Sequence, residues 1–113
     1  MRLADAKVEP AVAVTDMDRA KQFYEGKLGL SGGSDEEDGG HTYPCGDGSQ
    51  IHIFPSATGG RSDNTLAGWA VDDVEATVEE LSSKGVTFEQ YDEPLKTDAR
   101  GIVELQGGRG AWV

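Results

Sequence analysis

Two stretches of this chain, 57 residues apart, carry the same order of signals. Val14, Asp16 and Lys27 recur as Val71, Asp73 and Lys84, and Met17 and Asp18 fall on Val74 and Glu75. In each copy a β-rich run ends at an aspartate able to accept the free N–H groups of a helix start. A further acid follows, suited to the positive end of the helix dipole. An offset near half of the 113 residues is what duplication of one supersecondary unit produces. A chain of this length makes one domain of the common size, so both copies must share it.

The first copy reads as a strand over 8–14, with valines at even positions. A helix follows, with Met17, Ala20, Phe23/Tyr24 and Leu28 at helical spacing and Gly26 and Gly29 to loosen and end it. Residues 31–40, rich in Gly and acid, predict a solvated hairpin or mobile loop. Strands are predicted over 41–45 and 50–55, separated by a Gly-Asp-Gly turn, with a linker over 56–64. The second copy predicts a strand over 66–71 and a helix capped by Asp72 or Asp73. Val74, Val78 and Leu81 form its apolar stripe, and Lys84-Gly85 is its stop. A strand over 86–91, a loop over 92–100 and strands over 101–105 and 110–113 complete the reading. Sixteen glycines in 113 residues, about twice the usual ~7%, agree with many tight turns.

Charge narrows the function. Twenty-one Asp and Glu against ten Lys and Arg give a net charge of −11. Such a surface lacks the phosphate-neutralising patch of a nucleic-acid binder and disfavours an anionic membrane. No apolar run approaches the ~20 residues of a membrane span, and the N-terminus lacks a signal-peptide core. Cys45, the one cysteine, forms no internal disulfide. These features predict a soluble cytoplasmic protein.

The run Ala13-Val14-Thr15-Asp16-Met17-Asp18-Arg19-Ala20-Lys21-Gln22-Phe23-Tyr24-Glu25, followed by Leu28-Gly29-Leu30, resembles the opening module of the glyoxalase / bleomycin-resistance / extradiol dioxygenase (vicinal oxygen chelate) superfamily. Residues 66–74 with Lys84-Gly85-Val86 look like its second module. The resemblance implies an α+β fold. Two tandem βαβββ modules, about 7–56 and 65–113, form a curled mixed sheet around a cavity with the helices outside. It also implies a homodimer. The segment resembling Ala111-Trp112-Val113 runs on, in the family, through a turn into one more strand, so the chain reads as one strand short.

Active members of that family hold a divalent metal through four ligands, one from each of four strands. The chemical need is a Lewis acid with open coordination positions. Carried over by position, the first ligand falls on Glu9, the second on His52 and the third on Leu66, which has no donor atom. The fourth would lie on the missing strand. Glu9 and His52 are thus the metal candidates, and two ligands of four do not make a metal site.

Strand alternation sorts the residues independently. With Glu9 and His52 toward the cavity go Ala11, Ala13, Gln50, Phe54, Leu66, Gly68 and Ala70. Val12, Val14, Ile51, Ile53, Trp69 and Val71 then face the helices. His52 reads as a ligand-binding residue or general base, an imidazole being suited to proton transfer near neutrality, or as a hydrogen-bonded strand residue. Glu9 reads as a rim carboxylate or a binding group. Tyr43 and Phe54 read as packing or as stacking partners of a flat ligand, His41 as exposed, and Trp69 and Trp112 as packing. Cys45 has no Cys/His signature around it and reads as a small strand residue.

The expectation is a small-molecule-binding protein without a complete metal site or other cofactor, with His52, Phe54, Glu9 and Gln50 at the ligand. The acid excess suits a cationic ligand. The alternative is a metal-dependent lyase, isomerase or dioxygenase, completed by a dimer partner or by a strand beyond Val113.

Overall fold

The computed structural model describes residues 2–62, 64–105 and 107–113. The chain divides into two units, one reaching Gly68 and the other Trp69–Val113.

In the first unit β1 (Ala11–Val14) leads into α1 (Met17–Lys21), which continues as a wider π-helical turn through Gln22–Lys27. The start is capped as its sequence dictates: the Asp16 carboxylate accepts the Arg19 N–H at 3.1 Å. At the far end the Leu30 N–H folds back onto the Tyr24 carbonyl. Then follow β2 (Ser34–Asp35), β3 (His41–Pro44) and β4 (Gln50–Pro55). The sheet order is β1-β4-β3-β2, with β1 parallel to β4 and the other pairs antiparallel. The helix supplies the crossover that a parallel neighbour requires. Register sets Ala11 beside His52, Val12 beside Ile53, Thr42 beside His52 and Tyr43 beside Ile51.

The sheet therefore has two chemically distinct faces. Val12, Tyr43, Ile51 and Ile53 are buried with Ala20, and Val14, Met17, Tyr24, Leu30, Cys45 and Ala67 pack around them. Tyr43, only 1% exposed, donates its hydroxyl to Glu25 at 2.7 Å and stacks on Tyr24. Burial first, and the Glu25 carboxylate second, push that hydroxyl far above the ordinary phenol range. Ala11, Ala13, Thr42, Gln50, His52 and Phe54 share the opposite face.

The second unit holds α2 (Val74–Ser83) and a hairpin of β5 (Val103–Leu105) and β6 (Gly108–Gly110). Of the two cap candidates, Asp73 is used: its carboxylate accepts the Ala76 N–H at 3.0 Å. Gly85, at φ 91°, lets its own N–H reach the Ser82 carbonyl and the Val86 N–H reach Leu81. This is a left-handed helix stop that needs glycine. Val78, Val86, Ile102 and Val103 are this unit's buried hydrophobics. On its surface Glu75 of α2 pairs with Arg100 and with Arg109, Arg109 pairs with Glu104 at 2.9 Å, and Arg100 pairs with Asp98 at 2.8 Å.

Sequence and structure part in this unit. Residues 66–71 and 86–91 form no strand, and the C-terminal hairpin is shorter than expected and shifted onto Gly108–Gly110. A strand exists through its ladder partners, and β-propensity supplies none of them. Within 86–91 the Glu89 N–H donates to the Trp112 carbonyl at 2.7 Å and Tyr91 accepts the Thr97 N–H at 3.0 Å, and these bonds build no ladder. Trp69 and Val71, expected beneath a helix, are 44% and 42% exposed, and Leu66 is 53% exposed. Asp63, within the expected linker, lies outside the described residues. No helix among the described residues is long and apolar enough to cross a membrane.

Candidate functional site

The face of the first sheet turned away from its core carries the residues the sequence points to. β4 presents Gln50, His52 and Phe54 on it, because alternate residues Ile51 and Ile53 (2% and 1% exposed) are held in the core. β1 contributes two small side chains, Ala11 and Ala13, opposite His52 and Phe54. Small residues beside rings leave room above the sheet. The His52 and Phe54 rings lie nearly parallel, 13° apart, with centroids 5.9 Å apart. Glu9 sits just before β1 and accepts a hydrogen bond from the Gln50 amide. The four expected residues thus fall into two adjoining pairs, His52 with Phe54 and Gln50 with Glu9.

His52 is held at both ring nitrogens. Nδ1 lies 3.0 Å from the Thr42 hydroxyl and Nε2 lies 2.7 Å from Asp38 Oδ2. The assignment that satisfies both has Nε2–H donating to the carboxylate while Nδ1 accepts from Thr42. The other oxygen of Asp38 accepts the Gly40 N–H at 2.8 Å. Together these bonds, His52 foremost, hold the Asp38 carboxyl below its ordinary range. Gly40 is buried, and a Cβ there would collide with the Ile53 carbonyl and come 2.8 Å from Asp38 Oδ1. Glycine at 40 is therefore a condition for Asp38 reaching His52.

Neither Asp38 nor Thr42 stands out in the sequence. Asp38 reads there as one acid among several in a solvated loop. Thr42 could have been found from alternation, since the antiparallel register that buries Tyr43 beside Ile51 puts Thr42 beside His52. His41, expected exposed, has a side chain only 14% exposed and binds Asp35 through Nδ1 at 2.8 Å. His41 first, and Lys21 second, hold the Asp35 carboxyl low. Cys45 packs against the core, and Tyr43 lies within it rather than on the open face.

The donor set does not fit the four-ligand metal site that the resemblance implies. Glu9 is engaged by Gln50, both His52 nitrogens have partners, and Leu66 offers no donor. Among the described residues no three His, Cys, Asp or Glu side chains converge to hold a metal ion.

Comparison with known proteins places the fold. None of the curated proteins compared matches the chain. Among solved structures the fold is similar to UcmS2, at 21% identity and a TM-score of 0.60, covering 99% of this chain and 98% of that one. It is similar to TnmS3, an antibiotic binding protein from Streptomyces sp. CB03234, at 23% identity and a TM-score of 0.56, covering 88% and 91%. A superfamily member from Sphaerobacter thermophilus is similar at 17% identity and a TM-score of 0.56, covering 99% and 98%. At these identities the likeness concerns the fold. The family model for the Glyoxalase/Bleomycin resistance protein/Dioxygenase superfamily matches residues 8–104, and the chain belongs to that superfamily.

Proposed function

We propose that this chain is a small-molecule-binding protein of the bleomycin-resistance type, without a complete metal site. It holds its ligand on the open face of the β1-β4-β3-β2 sheet. The observation that carries this is the composition of that face: parallel His52 and Phe54 rings beside Ala11 and Ala13, with the His52 nitrogens already bonded. Such a surface offers area and stacking, with both ring nitrogens of His52 already engaged. The fold it shares with TnmS3, an antibiotic binding protein, supports the same reading. Asp38 and Glu9 flank the rings, and the net charge is −11, so a cationic, flat ligand suits the face. The protein works in the cytoplasm as a homodimer, with neither nucleic acid nor membrane as partner.

Thermal-shift screening against a panel of cationic antibiotics tests the reading. At least one should raise the midpoint, and Phe54→Ala should abolish the shift. A flat response across the panel counts against binding of this class. Metal analysis of protein purified without chelator tests the other half: stoichiometric Zn, Ni, Mn or Fe would instead support the lyase, isomerase or dioxygenase alternative.

A further inference from the structure

The chain has two histidines, and each binds a different aspartate: His41 binds Asp35 at the end of β2, and His52 binds Asp38 in the turn that follows. Directly paired residues on neighbouring strands share a face, so His41, paired with Ile53, stands on the core side. His52, paired with Thr42, stands on the open side. Asp35 and Asp38 therefore reach past the sheet on opposite faces, and the turn between β2 and β3 is gripped from both.

The two grips are unequal. Asp35 belongs to β2, is registered against His41, and has two side-chain partners: His41 at 2.8 Å and Lys21 of α1 at 3.3 Å. Gly33 lies so close to the His41 ring that a side chain there would displace it. Asp38 lies beyond the ladder, in a turn closed by Glu36 N–H to the Gly40 carbonyl and Gly39 N–H to the Glu36 carbonyl. Among the described residues its side-chain partner outside that turn is His52. Water competes for both carboxylates, Asp35 being 80% and Asp38 48% exposed, so the difference between the grips lies in the ladder and in the number of side-chain partners. The cheaper opening breaks the Asp38–His52 bond and leaves Asp35 in place.

We propose that residues 36–40 form a flap over the open face, hinged at Asp35 on His41 and Lys21 and latched by Asp38 on His52. Opening the latch frees the Nε2 edge of His52 while the β2–β3 ladder stays intact. Closing it returns Asp38 to the imidazole. The flap's part in admitting a ligand rests on the binding function proposed above; the hinge and the latch do not.

Amide hydrogen exchange by NMR on the ligand-free protein tests the device without a ligand. In wild-type protein the Glu36 and Gly40 amides should exchange faster than the ladder amides of β2 and β3; equal rates would overturn the hinge. Asp38→Ala, which also removes the acceptor of the Gly40 N–H, should speed Gly40 and Glu36 exchange about threefold or more, the scale of one hydrogen bond, and leave Thr42 unchanged. His52→Phe, which removes the donor, should do the same. His52→Gln, whose amide can still donate, should keep protection near wild type. Asp35→Ala should loosen the ladder and the turn together. If Asp38→Ala and His52→Phe leave Gly40 protection unchanged, or loosen the ladder equally, the latch is wrong.

Discussion

Single side chains in this molecule are set by what they are bonded to rather than by their type. Tyr43 shows it: a buried phenol is tolerated because its hydroxyl reaches Glu25. Tyr43→Phe keeps the ring and loses the bond, so it should lower stability by about 1 kcal/mol, read from the denaturant midpoint at constant m. Several aspartates show it through pH. Asp98 accepts the Ile102 N–H and the Arg100 side chain, and these hold its carboxyl low, as His52 does for Asp38 and His41 for Asp35. A carboxylate with a depressed folded pKa binds fewer protons folded than unfolded. Its stabilisation is complete above the ordinary ~3.9 and is lost as pH falls through the folded value. The melting midpoint should therefore drop between about pH 5 and about pH 3, and Asp98→Asn should flatten part of that drop. A midpoint unchanged over this range would contradict the assignment.

Elements differ in how much of them local sequence contains. Helix ends are written locally, and both caps fall where an aspartate precedes the apolar spacing: Asp16 and Asp73. Replacing either with Ala should cost about 1 kcal/mol, with α2, a single short helix, losing helicity first by circular dichroism. β4 is also legible, because its alternation and its flanking turn agree, and it forms over Gln50–Pro55 as read. Residues 66–71 and 86–91 have the composition of strands and lack the ladders, and ladders depend on distant chain. The same distinction governs the site. His52, Phe54, Gln50 and Glu9 follow from alternation and the family pattern. Asp38 is invisible because nothing in an acidic, Gly-rich run marks which acid bends back to a strand ten or more residues on. Gly40 is the nearest thing to a signal, and its necessity appears only with the Ile53 carbonyl beside it.

At the scale of the whole molecule, the first unit's sheet has one packed face and one open face. The packed face gives rigidity. Ile53→Ala beneath His52 should cost about 2–5 kcal/mol and weaken ligand binding only through the folded fraction. On the function proposed above, the open face holds the ligand. Light scattering should return the mass of two chains; a monodisperse monomer would remove the dimer from the account. The most direct measurement is a titration of 15N-labelled protein with whichever cationic compound shifts its melting midpoint. The account predicts that amide perturbations concentrate at Ala11, Ala13, Thr42, Gln50, His52 and Phe54. Perturbations confined to α2 and the segment after it, with this face silent, would contradict it.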